Sequence, residues 1–538
     1  MKKKNLALLL ALCIGLCGCG KEGGEEQGNF FTASGGPNLD GSVESRLRLS
    51  MRVPETLNPL LNREETVDRI LKLIYLPLLD FDERGIAVPA VAESWTLSED
   101  GRMLTLQINS NIFWQNGTKL TAEDVVFSLN TLRSAPEDAV YKRVLQYVSG
   151  WQNISENTVE ISFYEPFSGN ISALRFPVIS AGYYQGQTDP QNGINMTPMG
   201  NGPYEMLSYR RASELLLNVS DSYYGTVPQI PIISVIITEG AQTDVNAFQQ
   251  GITDVLIADA METGRYAEEG ASGIHTFPST KYDFIGFNFN RSLFQEKAVR
   301  QAVAYAFPKE SLLNSAYLQY GELANTPVSP KSWLYEENVV PYNYDPTMAA
   351  TVLKNNGWSD ENGDGILEKP TAAGTITLQA SILVNEENSV RKQIASKLKE
   401  ELQTIGFVCT LDAQPYEQYQ EKLTSGSFDM VVGGWQFSDV VDLTPFFATG
   451  GSYNYIGYSN EEMDRLLETA RTAVGEGMTL LAYSSLQKKL AEELPYISIA
   501  FREDAVFTSK YVGGEISPTS FNVFRNIEQW TYQRKAGE

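Results

Sequence analysis

Histidine is nearly absent: His275 is the single one in 538 residues. Zinc centres and Ser-His-Asp relays both need imidazoles, so most metalloenzyme and hydrolase readings lose their main residue type. Neither Gly-x-Ser-x-Gly nor His-Glu-x-x-His occurs. Cysteine is scarce as well, with four in the chain, and Cys13, Cys17 and Cys19 crowd the N-terminus, leaving Cys409 alone in the body. No disulfide framework can staple the fold, and stability must come from packing. Positive charge is in deficit: 42 Lys and Arg stand against 66 Asp and Glu, a formal charge of −24. A phosphate backbone would meet repulsion rather than counterion release, which excludes nucleic acid as a partner. What is present is a composition 42% apolar, 11% aromatic and 20% charged, in a chain long enough for roughly three to four cores of about 150 residues each. A disordered tail is excluded.

Residues 1–19 read as a lipoprotein leader. Three lysines precede the apolar stretch Asn5 to Leu16, then Leu16-Cys17-Gly18-Cys19, too short for a membrane span of about 20 residues. The last four residues resemble the bacterial lipobox, which makes Cys19 the expected lipid-bearing first residue of the mature chain; ordinary signal cleavage with a spare cysteine is the alternative. Two acyl chains anchor stably where one does not. Removal of residues 1–18 takes away three lysines and leaves 39 basic residues against 66 acidic, a mature charge of −27. Residues 19–44, rich in Gly and Glu, are expected to form a flexible tether reaching on the order of 25 Å.

From about residue 45 the pattern is α/β. Thr121-Ala-Glu-Asp124 opens a helix whose Val125, Leu129 and Leu132 share a face, and Ser459-Asn-Glu-Glu462 repeats the device. Residues 391–405 read as a helix, Gly406 as its C-cap and 407–411 as a strand; a second unit runs through 415–425, Gly426 and Met430-Val-Val432. Helix, glycine, strand, twice in succession, predicts a sheet with helices packed on it. Cys409 lies in the first of these strands, where a small core residue is the expectation.

Several segments then recur in a fixed order. Leu57-Asn58-Pro59, Val88-Pro-Ala-Val-Ala-Glu-Ser-Trp95, Trp114-Gln-Asn-Gly117, Leu120-Thr-Ala-Glu-Asp-Val-Val-Phe127, Gly200-Asn-Gly-Pro-Tyr204, Ile285-Gly-Phe-Asn288, Tyr344-Asp-Pro346 and Gly434-Trp435 resemble the signature of the family 5 extracellular solute-binding proteins, over roughly residues 45–510. The resemblance implies a periplasmic-binding-protein-like α/β fold with two main lobes and an inserted smaller one. Lobe I would comprise 45–78, 196–280 and 500–538, lobe II 79–195, and lobe III 281–499. Two crossing strands, near Ile285–Asn290 and Tyr496–Phe501, would hinge the cleft. It also implies a monomer without cofactor or catalysis, held outside the cell membrane by its lipid, that binds an oligopeptide or dipeptide and hands it to the permease and ATPase subunits of an ABC importer.

The implied ligand site departs from the family at one place. In peptide-binding relatives an aspartate three residues after the Gly-Trp tryptophan meets the peptide's α-ammonium; here Ser438 holds that position, with Asp439 next and Asp442 beyond. Asp439 and Asp442 therefore stand as ammonium partners or as loop carboxylates facing solvent. Asn58 and Pro59 are expected to offer backbone groups to an extended ligand. Trp435, Gln436 and Phe437, with Phe446, Phe447, Tyr453 and Tyr455, are candidates for pocket walls, and core packing is the stronger reading for Phe446 and Phe447. Tyr204 is open between structural and binding roles. Asp360, Asn362 and Asp364 open like a calcium loop, but position twelve is Thr371, and a simple turn is the competing reading. The loss of the usual aspartate would also suit an oligosaccharide, metal chelate or signalling peptide on the same fold, although the lack of His disfavours nickel. A secreted hydrolase using paired carboxylates is the reading from another class.

Overall fold

The structure, a computed structural model, describes residues 30–32, 46–186, 189, 192–261, 272–372 and 374–534. The expected leader and Cys19 lie outside the described residues. Within the expected tether, Phe30–Thr32 forms an edge strand antiparallel to Tyr204–Arg210. Phe-Phe-Thr is the strand-favouring run in a segment otherwise dominated by Gly and Glu.

Two sheets share the first core. One runs Phe30–Thr32, Tyr204–Arg210, Glu214–Val219, Ile232–Ile237, Arg46–Met51, with only the last pair parallel. Alternation in Arg46–Met51 buries Leu47, Leu49 and Met51. The other is an antiparallel sheet of Ala92–Leu97, Met103–Ile108, Thr158–Phe163 and Val148–Ser155. Helix Ala122–Ser134 starts on the expected capping box, in which the Thr121 N–H donates to Asp124 Oδ2. It buries Val125, Leu129 and Leu132 in the same cluster as Leu47, Leu104 and Trp530.

The largest sheet has the order Val255–Asp259, Tyr496–Thr508, Gly273–Phe287, Met430–Gln436, Gln379–Asn385, Val408–Gln414. Gln379–Asn385 is parallel to both of its neighbours. Both helix–glycine–strand units are present: Ser389–Thr404, Gly406 and Val408–Gln414, then Tyr416–Thr424, Gly426 and Met430–Gln436. Gly406 and Gly426 have φ of +75° and +68°, the left-handed turn that ends each helix. Cys409 is buried, and burial pushes its thiol up to about 12. Helix Glu461–Thr472 starts one residue later than Ser459 suggested, because Asn460 accepts the N–H groups of Glu462 and Met463.

Gly273–Phe287 and Tyr496–Thr508 are the longest strands, paired from Gly273 with Thr508 to Gly286 with Tyr496. One end of this ribbon borders Val255–Asp259 and the other Met430–Gln436. Its register shifts between Pro278 and Tyr282, several residues before the Ile285–Asn290 stretch expected to cross. Asn288 and Asn290 lie past the strand end: Asn288 Nδ2 donates to the Phe428 carbonyl, and its Oδ1 accepts the Asn290 N–H.

Candidate functional site

A cavity of about 600 Å³, within the 300–1,000 Å³ range of small-ligand sites, is lined both by residues packed on the first core and by residues around the largest sheet. Residues around 81–85, 143–175 and 520–521 line one side, and residues around 327–334, 436–446 and 471 the other. The ribbon contributes Pro278–Thr280 and Phe501 at its register shift.

Strand Met430–Gln436 carries the aromatic wall to the cavity. The Phe437 N–H donates to the Thr280 carbonyl at 2.9 Å, and the Phe437 ring packs on Tyr282 at 5.3 Å and Phe446 at 5.1 Å. Gln436, Phe437, Phe446 and Tyr453 line the cavity. Trp435 sits behind them, 5.1 Å from Phe446 and 5.8 Å from Tyr453, with its N–H directed at the Tyr496 hydroxyl. Phe447 is core, as expected, whereas Phe446 reaches the cavity surface.

The Gly in Gly434-Trp435 has a specific cause. A Cβ at Gly434 would stand 1.9 Å from Arg391 Nη2. Arg391 passes there to reach Asp283, which is fully buried and receives Arg391 Nε at 2.9 Å, Arg502 Nε at 2.8 Å and the Tyr317 hydroxyl at 3.1 Å. Burial would raise the Asp283 pKa, but the attraction of Arg391 and Arg502 outweighs it and holds the carboxyl below its usual range.

Asp439 and Asp442, open between ammonium partners and solvent-facing loop carboxylates, both line the cavity, and both face guanidinium groups. Asp439 Oδ2 is 2.8 Å from Arg175 Nη2, contributed by the opposite side, and Arg175 lies 4.8 Å over the Phe521 ring. Asp442 accepts the Thr444 N–H at 2.9 Å and lies 3.7 Å from Arg471 Nε. Arg471 also pairs with Glu165 across the cleft, and its carbonyl accepts the Ser168 N–H at 2.7 Å. The hydrogen bond from Arg471 holds the Glu165 carboxyl below its usual range. A third crossing contact runs from the Trp333 N–H to the Arg84 carbonyl, 3.0 Å. Ser438 lines the cavity, and its hydroxyl accepts the Val440 N–H.

Asn58, Pro59 and Tyr204 do not join this group. Asn58 is buried, donating to Asn195 Oδ1 and accepting the Leu60 N–H, and Pro59 is buried beside it. The Tyr204 hydroxyl donates to the Ile230 carbonyl. The Gly200-Asn-Gly-Pro segment clamps another strand of backbone instead of approaching the cavity. Asn201 and Gly202 both donate to the Ile74 carbonyl, and a Cβ at Gly200 would stand 1.9 Å from that oxygen. In the candidate calcium loop the Asp360 carboxylate accepts the N–H groups of Gly363, Asp364 and Gly365, and Asn362 donates to Glu368. Its oxygens are thus turned onto its own turn, and among the described residues no group of three or more His, Cys, Asp or Glu is arranged to hold a metal.

Arg84, Arg143, Arg175, Arg471, Trp333 and Phe521 all line the cavity, and none was singled out from the sequence. Each is a surface-type arginine or an isolated aromatic in a loop or at an element end, with no local pattern pointing to a cleft.

A family model described as bacterial extracellular solute-binding proteins, family 5 Middle, matches residues 87–456. The oligopeptide-binding protein AppA of Bacillus subtilis (strain 168) is 26% identical over 98% of this chain and 99% of its own. The dipeptide-binding protein of Escherichia coli (strain K12) is 24% identical over 88% and 92%. Among solved structures, the unliganded open form of the periplasmic murein tripeptide binding protein MppA superposes with a TM-score of 0.77, at 16% identity over 92% of this chain and 99% of that one. The α/β fold is therefore that of a periplasmic binding protein.

Proposed function

Starting from a chain that belongs to the family 5 bacterial extracellular solute-binding proteins, we propose that it captures a short peptide in the cavity between its halves and delivers it to the permease and ATPase subunits of an ABC importer. The observation that supports the reading is the position of the cavity, which is lined from the first core, from around the largest sheet and from the ribbon at Pro278–Thr280 and Phe501. The ribbon acts as the hinge, bending at the register shift near Pro278–Tyr282, and closure sequesters the ligand. In this reading Asp439 and Asp442 serve closure through Arg175 and Arg471 rather than holding the peptide's ammonium. The aromatic wall of Phe437, Phe446 and Tyr453 buries the ligand's side chains without demanding a sequence. Among the described residues no helix is long and apolar enough to cross a membrane; we assign the anchor to lipid on Cys19 and the working unit to a monomer.

Native mass spectrometry of the purified full chain, with release of whatever co-purifies, tests the function. A set of short peptides is expected. A single sugar or metal chelate would overturn the peptide reading, and turnover of added peptides or glycans would overturn the carrier reading altogether.

A further inference from the structure

Charge is distributed unevenly between the chain and its cavity. The chain carries −24, yet the cavity wall presents five cations, Arg84, Arg143, Arg175, Lys331 and Arg471, against four carboxylates. Each of the carboxylates already has a cationic partner: Asp439 has Arg175, Glu165 and Asp442 share Arg471, and Glu83 has Arg525 at 2.8 Å. Lys331 is neutralised by Glu322 at 2.9 Å. The side chains of Arg84 and Arg143 are exposed, and their guanidinium groups have no hydrogen-bond or ion-pair partner among the described residues. Both come from the same side of the cavity, and Arg84 adjoins Gly85, which packs between Phe521 and Trp333. A water-exposed guanidinium on a cavity wall can exchange its water for a ligand carboxylate, and it offers the paired donors that fit one. A ligand with surplus positive charge would meet only carboxylates that are already occupied.

We propose that the cavity selects ligands of net negative charge, with Arg84 and Arg143 receiving carboxylates that the ligand brings; the preferred class is acidic peptides. The proposal rests on the peptide reading above for the identity of the ligand, but not for its charge. Arginines supply this preference where the field of the rest of the protein opposes it.

The test measures binding of Ala-Ala-Ala, Ala-Glu-Ala and Ala-Lys-Ala to the purified full chain by calorimetry, together with tricarballylate and spermidine as non-peptide probes of opposite charge. Ala-Glu-Ala is expected to bind roughly tenfold or more tighter than Ala-Lys-Ala at low salt, with the ratio shrinking as salt rises. In the variant R84Q/R143Q the ratio should fall towards one, while R84K/R143K, which keeps the charge, should retain most of it; thermal melting confirms that each is folded. Equal or tighter binding of Ala-Lys-Ala, or an unchanged ratio in R84Q/R143Q, overturns the proposal and leaves the peptide reading standing. Uptake of tricarballylate but of no peptide overturns the peptide reading and leaves the charge preference standing. Failure of every probe overturns both.

Discussion

Replacing Asp439 with Asn distinguishes two roles by magnitude. In this structure Asp439 meets Arg175 across the cleft, and the side chains are 36% and 20% exposed. A pair that open to solvent is screened and contributes about 0.5–1 kcal/mol to the closed state, so its loss weakens ligand binding by about 2–5-fold. Were Asp439 the partner of a buried α-ammonium, its loss would cost roughly 2–5 kcal/mol, or about 30-fold to several thousand-fold. The two ranges do not overlap. Fluorescence or calorimetric titration with a tripeptide and its N-acetylated form separates them further, because the acetyl cap removes the ammonium and leaves closure untouched. D439N is expected to weaken both ligands alike and by no more than about fivefold. R175Q should do the same, and the double variant should be no worse than either single one, since both remove one contact. A loss beyond about 30-fold, confined to the free-amine peptide, would refute the closure reading and restore the ammonium anchor.

Asp283→Asn leaves two guanidinium groups facing an uncharged side chain in the interior, which costs about 3–5 kcal/mol and should lower the melting temperature by roughly 6–20 °C. The native Asp283 carboxyl is held below its unfolded pKa, so its contribution is complete above an unfolded value of about 3.9 and is lost as pH falls through the lower native value; melting curves of the two proteins should converge in acid. Gly434→Ala forces a methyl group onto Arg391, which cannot retreat without releasing Asp283; a loss of about 1–3 kcal/mol is expected in denaturant titration, and less than that when Asp283→Asn is already present. Cys409, buried with its thiol pushed up to about 12, should resist a thiol reagent at pH 8 and react only after denaturation, as read by peptide mass mapping.

Legibility in the sequence followed the distance over which each feature is determined. The helix–glycine–strand units around Gly406 and Gly426 could be read because capping, helical periodicity and a left-handed turn are all set within one short window. Even the one-residue error at Ser459 was local, since the next residue, Asn460, is the stronger N-cap. The aromatic segments could be read, and residues of each reach the cavity, but which of Trp435, Phe437, Phe446 and Phe447 face it depends on packing between strands. Motif order could not say where Asn58 and Tyr204 point; in the fold their side chains are engaged by Asn195 and the Ile230 carbonyl.

The contacts across the cleft were invisible for a physical reason. Arg175 and Asp439 are 264 residues apart, and Arg471 and Glu165 are 306 apart, so no periodicity or cap links them. A carboxylate's role is set by what it meets, and a motif position supplies only the carboxylate. The slip from Ser438 to Asp439 looked, in one dimension, like a displaced ammonium anchor; in three, Arg175 already stands opposite it. The same reasoning gives weight to Arg84 and Arg143. A lone arginine in a sequence carries no message, but two unpaired guanidinium groups in a cavity whose carboxylates are all engaged define the charge of what the cavity should hold.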